Sequence, residues 1–249
     1  MYKRQDHIII TDNLSNDGTE DVLQDYSQKE NITLIHEKDN NYEQSAWVTR
    51  MARLAQDEHR ADWVLHSDCD EFFVPYNGYS LQEVLAGYSQ SIDYLNIYRH
   101  DFVAINDNND GIRGMIYKKA VSKNIFGRVL PPKVIHRNLP QVSVSQGNHS
   151  ILFPSNLVSL DCLDIEIFHY PIRSKEQFES KILLGGHAYE NNESDDKQMG
   201  STWRHLYDKM QEGNFEEVIG QVIYTPNRVK AAISSGELLL DESLTKILR

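Results

Sequence analysis

Cysteine is scarce in this chain. Two residues among 249, Cys69 and Cys162, make neither a zinc spacing nor a disulfide framework. Such usage fits a reducing, cytoplasmic setting. Long hydrophobic runs are missing too, and none approaches the length of a membrane span. The opening Met1-Tyr2-Lys3-Arg4-Gln5-Asp6 is too polar for a signal peptide. Positive charge is short: 25 Lys and Arg stand against 37 Asp and Glu, for a net charge of −12. That balance excludes a general nucleic-acid binder, which needs a basic face, and disfavours an anionic membrane as partner. No glycine-rich phosphate loop opens the chain, which argues against a sugar nucleotidyltransferase. Internal repeats and low-complexity segments are absent. The Asn106-Asp107-Asn108-Asn109-Asp110-Gly111 turn lacks calcium-loop spacing and reads as a linker-like connection.

What is present is ordinary globular composition, 40% hydrophobic and 25% charged, at a length that supports a core of good size. Residues 7–11 read as a buried strand rich in β-branched side chains. A polar turn follows. Asp17, with Glu20 in capping-box position, opens a helix whose apolar face carries Val22, Leu23 and Tyr26. Residues 32–35 form a second strand. Residues 42–56 form a second helix, with Trp47, Met51, Leu54 and Ala55 on one side. Arg53 is placed for a surface pair with Asp57, whereas Arg50 is free to face a phosphate. This alternation implies a parallel sheet with right-handed crossovers.

The stretch that organises the chain is Ala61-Asp62-Trp63-Val64-Leu65-His66-Ser67-Asp68-Cys69-Asp70-Glu71-Phe72-Phe73-Val74-Pro75. Its apolar start suits a strand buried on both faces, central in the parallel sheet. It then breaks into His66, Asp68, Asp70 and Glu71. Carboxylates at i and i+2 of a strand point the same way and repel, so a cation belongs between them. A hard divalent ion suits oxygen ligands. A solvated acidic turn is the bland alternative, and the apolar residues on both flanks weigh against it.

Beyond Pro75 the pattern becomes mixed or antiparallel. Ser80-Leu81-Gln82-Glu83 is a capping box. Strand-like segments lie at 94–98, 114–117, 133–136, 142–144 and 164–170. A helix spans 174–186 and is stopped by its glycines, and the remainder reads as helical. Residues 1–186 are therefore taken as one α/β domain, with 187–249 as a helical extension packed on it.

At this point motifs accumulate. Asp12-Asn13-Leu14-Ser15-Asn16-Asp17-Gly18-Thr19 resembles the D-N-x-S-x-D-G-T turn of family-two-type glycosyltransferases. Asp68-Cys69-Asp70-Glu71-Phe72 resembles their D-x-D signature. Trp47-Val48-Thr49-Arg50-Met51-Ala52-Arg53, Gln146-Gly147-Asn148-His149 and His169-Tyr170-Pro171-Ile172-Arg173-Ser174 look like a bacterial subgroup of that family. The resemblance implies a GT-A fold, a Rossmann-type nucleotide half joined to a mixed-sheet acceptor half. It further implies a nucleoside-diphosphate-sugar donor, an acceptor glycan or small molecule, and Mn²⁺ or Mg²⁺. By the same resemblance, Asp12, Asn13, Ser15 and Asp68 would bind the nucleotide sugar, with Arg50 added on its phosphate-facing chemistry, and Asp68, Asp70 and His169 would hold the metal.

The expected activity is inverting sugar transfer to a hydroxyl. Asp101, His149 and Glu166 are candidate general bases by chemistry alone. One departure stands out: the family's usual first strand, with its Asn-Glu pair, has no counterpart before residue 7. The expectation is therefore a weakened catalyst. The alternative is a non-catalytic nucleotide- or sugar-binding relative.

Overall fold

The computed structural model describes residues 6–28, 31–38, 43–106, 111–190 and 200–247. Most of the expected 106–111 turn lies outside the described residues, as does the expected helix start at Tyr42.

The first unit is β1 (Ile8–Asn13), α1 (Thr19–Ser27), β2 (Ile32–Glu37) and α2 (Gln44–Asp57). β1 and β2 pair in parallel from Ile8 opposite Ile32 to Asn13 opposite Glu37. β1 is less buried than its sequence implies, with Ile8 41% exposed. α1 buries none of its residues, and its expected apolar face is open at Val22 and Tyr26. A two-stranded sheet offers too little surface to cover a helix. The helix is not capped by Asp17 as expected. Gly18 takes the cap position at φ 88°, a left-handed conformation costly for any residue with a Cβ, and Asp17 Oδ1 accepts from the Thr19 N–H instead. α2 buries Val48, Ala52 and Gln56, so its core face is turned from the expected Trp47–Leu54 side.

Next come β3 (Trp63–Leu65), β4 (Glu71–Pro75), α3 (Leu81–Ala86), β5 (Tyr94–Ile97) and β6 (Arg99–Asp101). The α3 capping box forms as its sequence specifies: Ser80 Oγ accepts from Glu83 N, and Glu83 Oε2 accepts from Ser80 N. β7 (Tyr117–Lys119), β8 (Lys133–Arg137), β9 (Ser143–Val144), β10 (Ile151–Leu152), β11 (Ser159–Asp161) and β12 (Ile165–His169) follow. The order β11-β5-β8-β3 builds one sheet, and β4-β12-β6 builds another that mixes antiparallel and parallel pairs.

The acidic strand is therefore not central. β3 ends its sheet, antiparallel to β8, and among the described residues no pairing joins it to β1. Its burial on both faces is nevertheless real. Val64 packs with Val48, Ala52 and Val142, while Trp63 and Leu65 pack against Leu85, Leu95 and Ile135. Side-chain alternation reports those two faces, but it is silent on which strands supply hydrogen bonds at the edges.

The chain closes with α4 (Lys175–Glu190), α5 (Ser201–Gln211), α6 (Phe215–Val222), α7 (Pro226–Ser234), β13 (Leu238–Leu240) and α8 (Ser243–Ile247). Among the described residues this makes a mixed α/β protein with eight α-helices. Gly185 and Gly186 do not stop α4. They lie inside it and admit α5: a Cβ on Gly186 would stand 2.4 Å from Tyr207, and one on Gly185 would stand 3.4 Å from Trp203. The remainder is not all helical either, since β13 pairs antiparallel with β7. Residue 186 thus sits within a helix. One core cluster joins Phe168 and Tyr170 to Ile182, Leu206 and Val218 across it.

Candidate active site

A cleft of about 2010 Å³ opens between β1, α2, β3 and the ends of β6 and β12. It exceeds the roughly 300–1,000 Å³ of most small-molecule pockets. At the carboxyl end of β1, Asp12, Asn13 and Ser15 line it. Asp12 is buried, and the Ser15 hydroxyl donates to its carboxylate. Asn13 Nδ2 donates to the Glu37 carbonyl. The turn therefore braces itself and presents its polar edge to the cleft.

The acidic stretch is a turn rather than an extended strand. Glu71 N donates to the Asp68 carbonyl at 3.1 Å, which closes the chain between β3 and β4. The Asp68 and Asp70 carboxylates consequently part company. Asp68 Oδ2 accepts from Lys133 Nζ at 2.6 Å, while its Oδ1 faces Gln44 Nε2 and Asn148 Nδ2, each at 3.4 Å. Asp70 Oδ2 accepts from Lys181 Nζ at 2.6 Å, while its Oδ1 lies 3.6 Å from His169 Nε2. Glu71 is a buried partner rather than a ligand: it takes Lys133 at 3.0 Å and Arg99 at 3.4 Å. The expected repulsion is thus relieved by lysines on two sides. Burial alone would raise the Asp70 carboxyl, but the Lys181 ammonium and His169 hold it below its ordinary value.

His169 ends β12, opposite Asp101 at the end of β6. Its Nδ1 donates to Asp101 Oδ1 at 2.8 Å, which leaves Nε2 to face Asp70. Asp101 itself is buried. That burial pushes its carboxyl up, and the His169 hydrogen bond, with the charges of His169, Lys119 and Arg99, holds it low. A carboxylate so engaged orients a histidine and is a poor proton acceptor.

His149 also lines the cleft, and its Nδ1 bonds the Pro132 carbonyl at 2.9 Å. Burial lowers its pKa to about 4, against the raising effect of that hydrogen bond. Gly147, at φ 73°, is the residue that makes room for it, since a Cβ there would lie 2.7 Å from Nε2.

Glu166 is outside the cleft lining. It bonds Lys118 at 2.6 Å and accepts from the Tyr76 hydroxyl. Burial and Asp241 push its pKa up to about 7, against the pull of the Lys118 ammonium. Period-two alternation puts Glu166 on the β12 face opposite His169, so the two cannot share a site.

Arg50 is likewise outside the lining: it is exposed and pairs with Glu37 at 2.8 Å. Arg53 makes no Asp57 pair. It donates through Nε to the Val142 carbonyl at 3.1 Å and so ties α2 to the residue that precedes β9.

Asp68, Asp70 and His169 do not converge as a trio. Among the described residues, no three His, Cys, Asp or Glu side chains group to hold a metal ion. Asp70 and His169 do form a pair. Oxygen and nitrogen donors 3.6 Å apart, with the far imidazole nitrogen fixed by a carboxylate, match the chemistry of a divalent-ion site completed by a substrate's oxygens. Lys133, Lys181, Gln44 and Asn148 were not singled out as site residues by sequence reasoning. The signal available for Lys133 was a lone charge heading the apolar run Lys133-Val134-Ile135.

The family model of glycosyltransferase family 92 matches residues 1–213. The chain belongs to glycosyltransferase family 92. The activity is sugar transfer, and membership implies a nucleotide-sugar donor and an acceptor. The expected glycosyltransferase is thus borne out, and the family shown is 92. No curated protein matches this glycosyltransferase. None of its described helices is long and apolar enough to cross a membrane.

Proposed function

We propose that the cleft is the donor site of a metal-assisted, inverting glycosyltransferase with a GT-A-type arrangement. The observation that carries this reading is the Asp101–His169–Asp70 alignment, in which Asp101 fixes the His169 tautomer and turns Nε2 towards Asp70 Oδ1. Asp70 and His169 would hold Mn²⁺ or Mg²⁺, which when bound supplies Lewis-acid charge to a leaving diphosphate. Asp12, Asn13 and Ser15 would meet the nucleoside. Asp68, steadied by Lys133, offers a carboxylate to hydroxyls of the ribose or donor sugar.

With Nδ1 donating to Pro132, His149 keeps the lone pair of Nε2 for a proton. It is the base this reading assigns. The acceptor oxygen bonds to the anomeric carbon, the bond to the diphosphate oxygen breaks with its electron pair, and the acceptor proton passes to His149. Because burial holds His149 neutral above about pH 4, it is always ready to accept at neutral pH, though as a weak base.

The test is calorimetry with Mn²⁺ plus UDP or GDP. The wild-type chain binds, Asp70→Ala loses the metal-dependent part, and Asp101→Asn weakens it about 10- to 100-fold. Equal binding by Asp70→Ala would sink the metal assignment. Nucleotide binding without donor turnover would mark a non-catalytic relative.

A further inference from the structure

An anionic diphosphate must enter a protein of net charge −12, through a cleft that already presents Asp12, Asp68, Asp70 and Asp101. Some cation must receive it. Arg60, Lys123 and Arg173 also line the cleft, but at exposed positions. Most of the basic side chains set deeper in it are spent. Lys133 is 1% exposed and saturated by Asp68 and Glu71. Arg99 is held on Glu71 and Lys119 on Asp101. Arg137 donates to the carbonyls of Tyr88, Ser89 and Ile92 and stacks on Trp63.

Lys181 differs. Its side chain is 29% exposed and it lines the cleft. Its ammonium has three donors. One goes to Asp70 Oδ2 at 2.6 Å and one to the Pro171 carbonyl at 3.3 Å, so a third has no assigned partner among the described residues.

Its placement is rigid. The neighbouring Ile182 is fully buried, Phe178 sits in the same core cluster, and Gly186 locks α4 against Tyr207 one turn further on. The Trp203 ring lies 5.6 Å from Nζ and supports the charge. The other Asp70 oxygen is the one that faces His169. An ion held there and the ammonium would therefore flank a single carboxylate without displacing one another.

We propose that Lys181 is a diphosphate-binding residue, a built-in cation that grips the donor's phosphates even before a metal ion does. This rests on the reading of the cleft as a donor site. Lys181 repels a cation at Asp70 and attracts an anion beside it, so its removal should move the two affinities in opposite directions.

The experiment measures inorganic pyrophosphate binding by calorimetry in EDTA and, separately, Mn²⁺ binding without phosphate by electron paramagnetic resonance. In EDTA, Lys181→Met and Lys181→Gln should weaken pyrophosphate at least about tenfold, while Lys181→Arg, which keeps the charge, retains it. The same neutral variants should bind Mn²⁺ more tightly than wild type. Lys175→Met, at the start of α4 and outside the cleft lining, serves as the comparison and should leave pyrophosphate affinity unchanged, while Arg173→Met and Lys123→Met test the exposed cations that also line the cleft. Wild-type-like pyrophosphate affinity in both neutral variants overturns the proposal, as does a loss confined to Arg173→Met or Lys123→Met. If wild type binds no Mn²⁺ but the neutral variants still lose pyrophosphate, the metal reading fails and the role of Lys181 stands.

Discussion

Lys133 Nζ lies 2.6 Å from Asp68 Oδ2 and 3.0 Å from Glu71 Oε1, with its side chain 1% exposed. A single lysine thus sets the geometry of the acidic turn from beneath. Truncating one member of a buried ion pair strands the others, at roughly 3–5 kcal/mol. Lys133→Met should therefore lower the urea midpoint sharply, and Lys133→Met with Glu71→Gln should recover part of the loss. A near-neutral single variant would show that Arg99 alone can neutralise Glu71.

Gly186 carries the closest helix contact. A Cβ there would collide with Tyr207, so Gly186→Ala should cost about 1–3 kcal/mol despite its better helix propensity. Gly220, in α6, has nothing within 4 Å of its Cβ position, and Gly220→Ala should be neutral or gain up to about 1 kcal/mol. Thermal unfolding of the two variants checks the contrast.

Acid should destabilise the fold through its buried histidines. Burial lowers His136 to about 4, and His66 lies well below its ordinary 6.5. His149 moves the same way, again to about 4. Between pH 6.5 and 4 the unfolded chain binds protons that the folded chain refuses. Stability therefore falls as pH drops through that window and is flat, as far as these groups are concerned, above it. His136 alone contributes on the order of 3 kcal/mol at most. Urea titrations at pH 7.5 and 5 should differ accordingly, less the opposite contribution of Glu166, which is raised to about 7, and His136→Gln should shrink the difference. A stability that rises towards pH 5 would contradict this account.

Arg53 and Arg50 should separate on stability. Arg53→Ala removes the donor to the Val142 carbonyl and should cost about 1 kcal/mol. Arg50→Ala loses an exposed pair with Glu37 and should shift the urea midpoint little.

Local patterns in the sequence determined what depends on neighbours along the chain. The α3 capping box, the strand with two buried faces at Trp63–Leu65, the helix over α2 and the polar turn at Asp12 all follow from spacing, because backbone geometry fixes which residues share a face. The acidic cluster was legible for the same reason. Its partners were not. Lys133 and Lys181 stand 65 and 111 residues from the carboxylates they hold, and no local period records such pairings. Strand order also escaped, since alternation names faces while edge hydrogen bonds come from distant segments: β3 found β8, and β7 found β13. Only the folded chain decided that Asp68 and Asp70 diverge across a turn, that Glu166 faces away from His169, and that two glycines inside α4 admit a second helix rather than end the first. Each of those outcomes depends on close packing between residues far apart in sequence, where a few tenths of an ångström change the energy.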